Sequence, residues 1–176
     1  MKHFDSGWLL AAALVLLSTG SAQAEEGHRF TLYGRAGGML YLSNAMTTGG
    51  VGGGVGLRDT IQDRFILQAD LNYLMVIGNV GALRLGAGLQ RSGTYTPAVL
   101  VTLTLVMGDR LTFLTPEHPT PLRGPAVALG LSVAPLRFTQ GGLQLSLLEL
   151  GVGAGTDLPG LGLSWQLALL EAGTTF

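Results

Sequence analysis

Two histidines lie beyond residue 24, and they are the first place to look for chemistry. His28 precedes an apolar stretch, and His118 sits in Pro116-Glu117-His118-Pro119. An acyl hydrolase needs such a base within hydrogen-bond reach of a hydroxyl nucleophile. No serine lies two residues from either histidine, so the expectation is two solvated histidines and no catalytic residue. Two distant histidines and a loop glutamate also make a poor metal site, and there is no cysteine to add thiolates. The glycine run Gly49–Gly56 fails the dinucleotide spacing at every start. The chain's single lysine is Lys2, so no Walker motif exists either. The expected cofactor is none.

A second set of reactive side chains is periodic. Arg35, Arg64, Gln68, Asp70, Asn72, Arg84 and Gln90 fall on the polar parity of three alternating stretches. If that parity points into a narrow barrel, these residues fill its lumen. Buried charges need partners, so Asp70 is expected to bridge arginines. The functional alternative is an ion path, which more strands would serve better.

The elements that carry these residues are strands. Leu161 to Leu169 alternates without a break. Leu161, Leu163, Trp165, Leu167 and Leu169 take one face, and Gly162, Ser164, Gln166 and Ala168 take the other. Glu171 closes the apolar series with a charge. Similar patterns cover Arg29–Leu42, Thr47–Arg58, Arg64–Tyr73, Leu83–Gln90, Tyr95–Met107, Ala126–Val133 and Gly142–Gly151, which makes eight strands in all. The second is rich in glycine and also reads as a flexible loop. In the seventh, Leu148-Glu149-Leu150 shifts the parity, the mark of a bulge or a membrane boundary. Asp59–Asp63, Pro135–Gly141 and Gly153–Gly160 read as connections. Gly108–Pro125, with four prolines, is the one long loop.

Composition says what surrounds such strands. Charged residues are 12% of the chain, against roughly 25% in ordinary soluble domains. Mean hydropathy is +0.43. A soluble exterior needs charge, whereas a lipid-facing one does not. The net charge of -1 gives no reason to expect nucleic acid. Lys2 and His3, the ten apolar residues Trp8–Leu17 and the terminal Ala22-Gln23-Ala24 read as a signal peptide over residues 1–24. Ten residues fall short of the ~20 that a spanning helix needs. Residues 25–176 are then one domain, an all-β, eight-stranded antiparallel up-and-down barrel crossing the outer membrane as a monomer. A soluble lipid-binding barrel in the periplasm is the rival, and it would turn the apolar parity inward.

This pattern resembles the small eight-stranded outer-membrane barrels of bacteria, whose members include structural, adhesive and lipid-modifying proteins. The resemblance implies outer-membrane lipid and the barrel-assembly machinery as partners, with Phe176 as the terminal aromatic read by that machinery. It implies both termini on the periplasmic side, so the long loop faces outward. A structural, anchoring or protein-interaction role follows, in which Leu111, Phe113, Leu114, Glu117, His118, Leu122 and Arg123 would contact other envelope proteins. A lipid A- or phospholipid-modifying enzyme is the alternative, and it would have to use His28 or His118.

Overall fold

The computed structural model describes residues 27–43, 46–76, 78–109, 111–112, 125–157 and 160–176. Strands are β1 His28–Ser43, β2 Met46–Ile61, β3 Phe65–Val76, β4 Val80–Gln90, β5 Ala98–Gly108, β6 Leu111–Thr112, β7 Ala126–Ala134, β8 Arg137–Gln140, β9 Leu143–Ser146, β10 Glu149–Thr156 and β11 Leu161–Thr175. Every pairing is antiparallel, and β11 returns to pair with β1, so the sheet closes. Segments β7 with β8, and β9 with β10, each form one interrupted stave. The closed ring therefore has eight staves. β6 lies outside the ring and covers Met46 and Thr47 of β2. Closure leaves no open edge, which suits strands that cannot hydrogen-bond to solvent.

The apolar parity faces out. Val51, Val55, Leu67, Leu71, Val101, Leu103, Leu129, Leu131, Val152 and Leu163 are all exposed. The inward, soluble arrangement is thus not the one adopted. Aromatic side chains gather toward the rim that carries His28 and Phe176. There Phe30 stacks on Phe176, and Tyr95 packs against Phe138 with ring centroids 5.5 Å apart.

Three adjacent staves depart from simple alternation. In β11, Ala36 of β1 pairs with Leu170 and Gly37 with Ala168, which leaves Leu169 as the extra residue of a bulge. Leu169 and Leu170 are both exposed, and Glu171 turns inward. Between β9 and β10, Leu147 and Leu148 intervene and Glu149 turns inward. Between β7 and β8, Pro135 and Leu136 intervene and Arg137 turns inward. Each charge shares sequence parity with the outward residues before it. Without its interruption, each would face hydrocarbon.

Several expectations change accordingly. Glu171 does not close the lipid-facing series. Pro135–Gly141 is not a simple turn, because β8 occupies most of it, with a reversal at Gly141-Gly142. Asp59–Ile61 belongs to β2, and the turn is Gln62–Arg64, where Gln62 and Asp63 take φ of 51° and 60°. β10 runs on to Thr156, so only 157–160 connects it to β11. The glycine run 49–56 is strand. The bulge also sets Phe176 on the outward face, where its backbone exchanges hydrogen bonds of 3.1 and 2.9 Å with Phe30.

One deletion tests the bulge. Removing Leu169 leaves a strand in which strict alternation places Glu171 inside. That variant should fold, with a smaller loss of stability in urea than Leu170→Arg. The latter sets a cation on the lipid face at a cost of ~2–4 kcal/mol.

Candidate functional site

The lumen is filled by charge. Arg35 from β1, Arg58 from β2, Asp70 from β3, Arg84 from β4, Arg137 from β8, Glu149 from β10 and Glu171 from β11 all point inward. None of these side chains is more than 8% exposed. Asp70 Oδ2 lies 3.1 Å from Arg35 Nη1 and 2.9 Å from Arg84 Nε. Arg84 also donates to Glu149, and Arg137 Nη2 lies 3.3 Å from the other oxygen of that carboxylate. Arg58 Nη2 donates to Glu171 at 3.0 Å, and Arg137 Nη2 stands 3.7 Å from the same oxygen.

Neutral side chains extend the network. Tyr33 donates its hydroxyl proton to Asp70, and its ring lies 4.3 Å beneath the Arg58 guanidinium, a cation–π contact in a dry setting. Arg58 Nε donates to Gln68 at 3.0 Å, and Arg58 Nη1 donates to Gln144. Arg84 Nη1 donates to Gln166 Oε1 at 3.0 Å, and Gln166 Nε2 donates to Thr104 Oγ1 of β5 at 2.8 Å. Every stave is therefore joined to the network by at least one side chain. Glycine makes the room: a β-carbon at Gly56 would overlap the Tyr33 ring and the Asp70 carboxylate.

Some donors and acceptors stay short of partners. Arg84 Nε is close to Asp70, but its N–H is not aimed for a hydrogen bond. Among the described residues, Arg137 Nε and Nη1 are buried without a partner, as are both amide atoms of Gln90 and the hydroxyls of Ser132 and Ser146. Glu171 Oε1 meets only Arg35 Nε, at 3.8 Å. Toward the loop end, apolar side chains take over, with Met39, Tyr41, Leu74, Val80, Ala82, Val106, Ala126 and Ala128 in one buried cluster.

The residues singled out in the sequence divide as follows. Arg35, Gln68, Asp70 and Arg84 meet in the network. Asn72 lines a small cavity beside it. Gln90 is buried at the end of β4 and makes no side-chain hydrogen bond among the described residues. Arg64 is a correction: it sits in the Gln62–Arg64 turn and is exposed, because the inward parity of β3 begins only at Ile66. Leu111 belongs to β6, whereas Phe113, Leu114, Glu117, His118, Leu122 and Arg123 lie outside the described residues. His28 Nδ1 pairs with Asp59 at 2.9 Å on the terminal rim. Among the described residues no serine or threonine hydroxyl bonds to it.

Sequence reasoning missed Arg58, Arg137, Glu149 and Glu171. Arg58 shares the glycine parity of β2 and was legible there. The other three stand on the wrong parity until an extra residue intervenes. They do share one signal, since Pro135-Leu136, Leu147-Leu148 and Leu169-Leu170 directly precede the three charges.

The sequence matches no family model and no curated protein. Solved structures do match its fold. The chain is similar to Neisserial surface protein A (NspA), with a TM-score of 0.55 and 12% identity over 84% of this chain and 97% of that one. It is similar to the N-terminal β-barrel domain of Pseudomonas aeruginosa OprF, with 0.53 and 12% over 84% and 97%. A third is Ail, the attachment invasion locus protein of Yersinia pestis, in complex with the heparin analogue sucrose octasulfate, with 0.52 and 8% over 85% and 99%. The fold is that of the small eight-stranded outer-membrane barrels.

Removing one partner of a buried ion pair strands the others. Asp70→Asn takes the countercharge from Arg35 and Arg84 together, and should destabilise the barrel by ~3–5 kcal/mol. Urea unfolding followed through Trp165 fluorescence in detergent micelles measures it. A loss below about 1 kcal/mol would mean that the network contributes little to stability.

Proposed function

We propose that this protein is a non-catalytic barrel of the bacterial outer membrane that anchors an exposed loop or joins a larger envelope assembly. The observation that carries this reading is the filled lumen inside an apolar exterior. The ring of exposed leucines and valines suits hydrocarbon, and the aromatic rim suits a membrane interface. Buried ion pairs and the apolar cluster occupy the interior, so the barrel offers solutes little room. At His28 the ring pairs with the Asp59 carboxylate, and among the described residues no hydroxyl nucleophile bonds to it. What such a barrel can still offer is its surface and its loops.

The direction of the chain gives this reading its geometry. Residues 62–64, 91–97 and 141–142, together with Phe176, lie at one end of the barrel. β5 ends at Gly108 and β7 begins at Ala126 at the other, so the longer connection starts and finishes there. With the termini on the periplasmic side, after removal of a leader at residues 1–24, the long loop faces the exterior. Its prolines limit the entropy lost when it binds. The partners in this reading are outer-membrane lipid, the barrel-assembly machinery acting through Phe176, and envelope proteins at the loop.

Two measurements test the proposal. After a carbonate wash the protein should stay with the membranes, and release into the soluble fraction would refute the location. A variant lacking 111–122 but keeping the barrel should lose co-purifying envelope proteins from detergent extracts. An unchanged set would reject the loop as the binding surface.

A further inference from the structure

The charges of the network do not balance among the described residues; the buried Asp157 lies apart from it, bonded to Ser43 and Gly160. Arg35, Arg58, Arg84 and Arg137 face Asp70, Glu149 and Glu171, four guanidiniums against three carboxylates. Arginine stays protonated in proteins. Tyr33 cannot supply the missing charge, because it holds its proton in the hydrogen bond to Asp70 and a phenolate there would meet a carboxylate. The network is left with one net positive charge in a low-dielectric interior, which is costly without a counterion. Unused donors point the same way. Arg137 is wholly buried, yet its Nε and Nη1 have no acceptor.

Beside the network there is a cavity of about 30 Å3. Arg35 and Arg84 line it, with Asn72, Thr104 and Gln166, and among the described residues no carboxylate does. A water needs roughly 10–15 Å3, so the space takes two or three particles of that size, or fewer of a larger ion. Arg35 makes one hydrogen bond, to Asp70, and a 3.8 Å contact with Glu171, so part of its fork is uncommitted. Glycines 37, 38, 52 and 53 with Met39, Leu74, Ala82 and Leu167 complete the lining, so the polar groups gather on one side of it.

We propose that this cavity binds one small monovalent anion, a halide, which neutralises the lumen network. The cavity admits chloride or bromide and excludes gluconate by size. The anion completes the set of acceptors for Arg35 and Arg84 and so stabilises the folded barrel by mass action.

The test uses the folded barrel in detergent micelles, in sodium chloride, sodium bromide and sodium gluconate at equal ionic strength, so that screening is constant. The unfolding midpoint should be a few degrees higher in either halide than in gluconate, and the difference should saturate with halide concentration. Gln166→Glu places a carboxylate beside Arg84 at nearly constant volume and supplies the missing charge. That variant should lose the halide response and be more stable than the parent in gluconate. Equal midpoints in all three salts, or a response that persists in Q166E, would overturn the proposal. Crystals of the unaltered protein grown in bromide give an independent reading. An anomalous peak between Arg35, Arg84 and Thr104 supports the site, and its absence there refutes it.

Discussion

A charge on a membrane-crossing strand must point inward or be stranded in hydrocarbon, and most of this structure follows from that constraint. Strands allow two directions only, set by parity. Arg35, Arg58, Asp70 and Arg84 already lie on the inward parity of the first four staves. Arg137, Glu149 and Glu171 do not, and each is preceded by an interruption that turns it in. The three interruptions lie on neighbouring staves, so they admit their charges to one region of the lumen. There they meet Arg35 of the neighbouring β1 and the arginines of β2 and β4.

The two groups depend on each other. Arg35, Arg58 and Arg84 with Asp70 alone would leave the lumen positive. The glutamates behind the bulges lower that charge, and Arg137 joins Glu149 to Glu171. Such a network holds the barrel in register as well as filling it. A one-residue slip of any charged stave would turn its charge to lipid and leave its partners unpaired. Small inward residues are the counterpart of this packing. Gly56 admits the Tyr33 ring, and Gly162 lies where a side chain would strike Tyr41.

Much of the barrel was legible in the sequence because alternation is a local property. Leu161–Leu169 announces a lipid face without reference to any other strand, and the same holds for Val99–Met107 and Val127–Val133. Glycine at 52, 54 and 56 concealed a strand only from propensity, since parity still ran through it to Arg58. The interruptions were less accessible. Whether Leu169 is an extra residue depends on its pairing with Ala36 and Gly37, which is a contact between the two ends of the chain. Glu171 therefore looked like the outward end of the last strand. Arg64 failed for the opposite reason, as its parity was right but the strand starts one residue later. The halves of the network could be read strand by strand, but their meeting could not.

Accessibility along β11 tests the parity inversion most directly. The chain has no cysteine, so single cysteines placed from Leu167 to Thr174 can carry nitroxide labels without interference. In lipid vesicles, collision with oxygen dissolved in the bilayer should be frequent at 167, 169, 170, 172 and 174. It should be rare at 168, 171 and 173. Two neighbouring lipid-facing positions at 169 and 170 are the signature of the bulge. Unbroken alternation through 171, with that position exposed to lipid and 170 protected, would contradict the account.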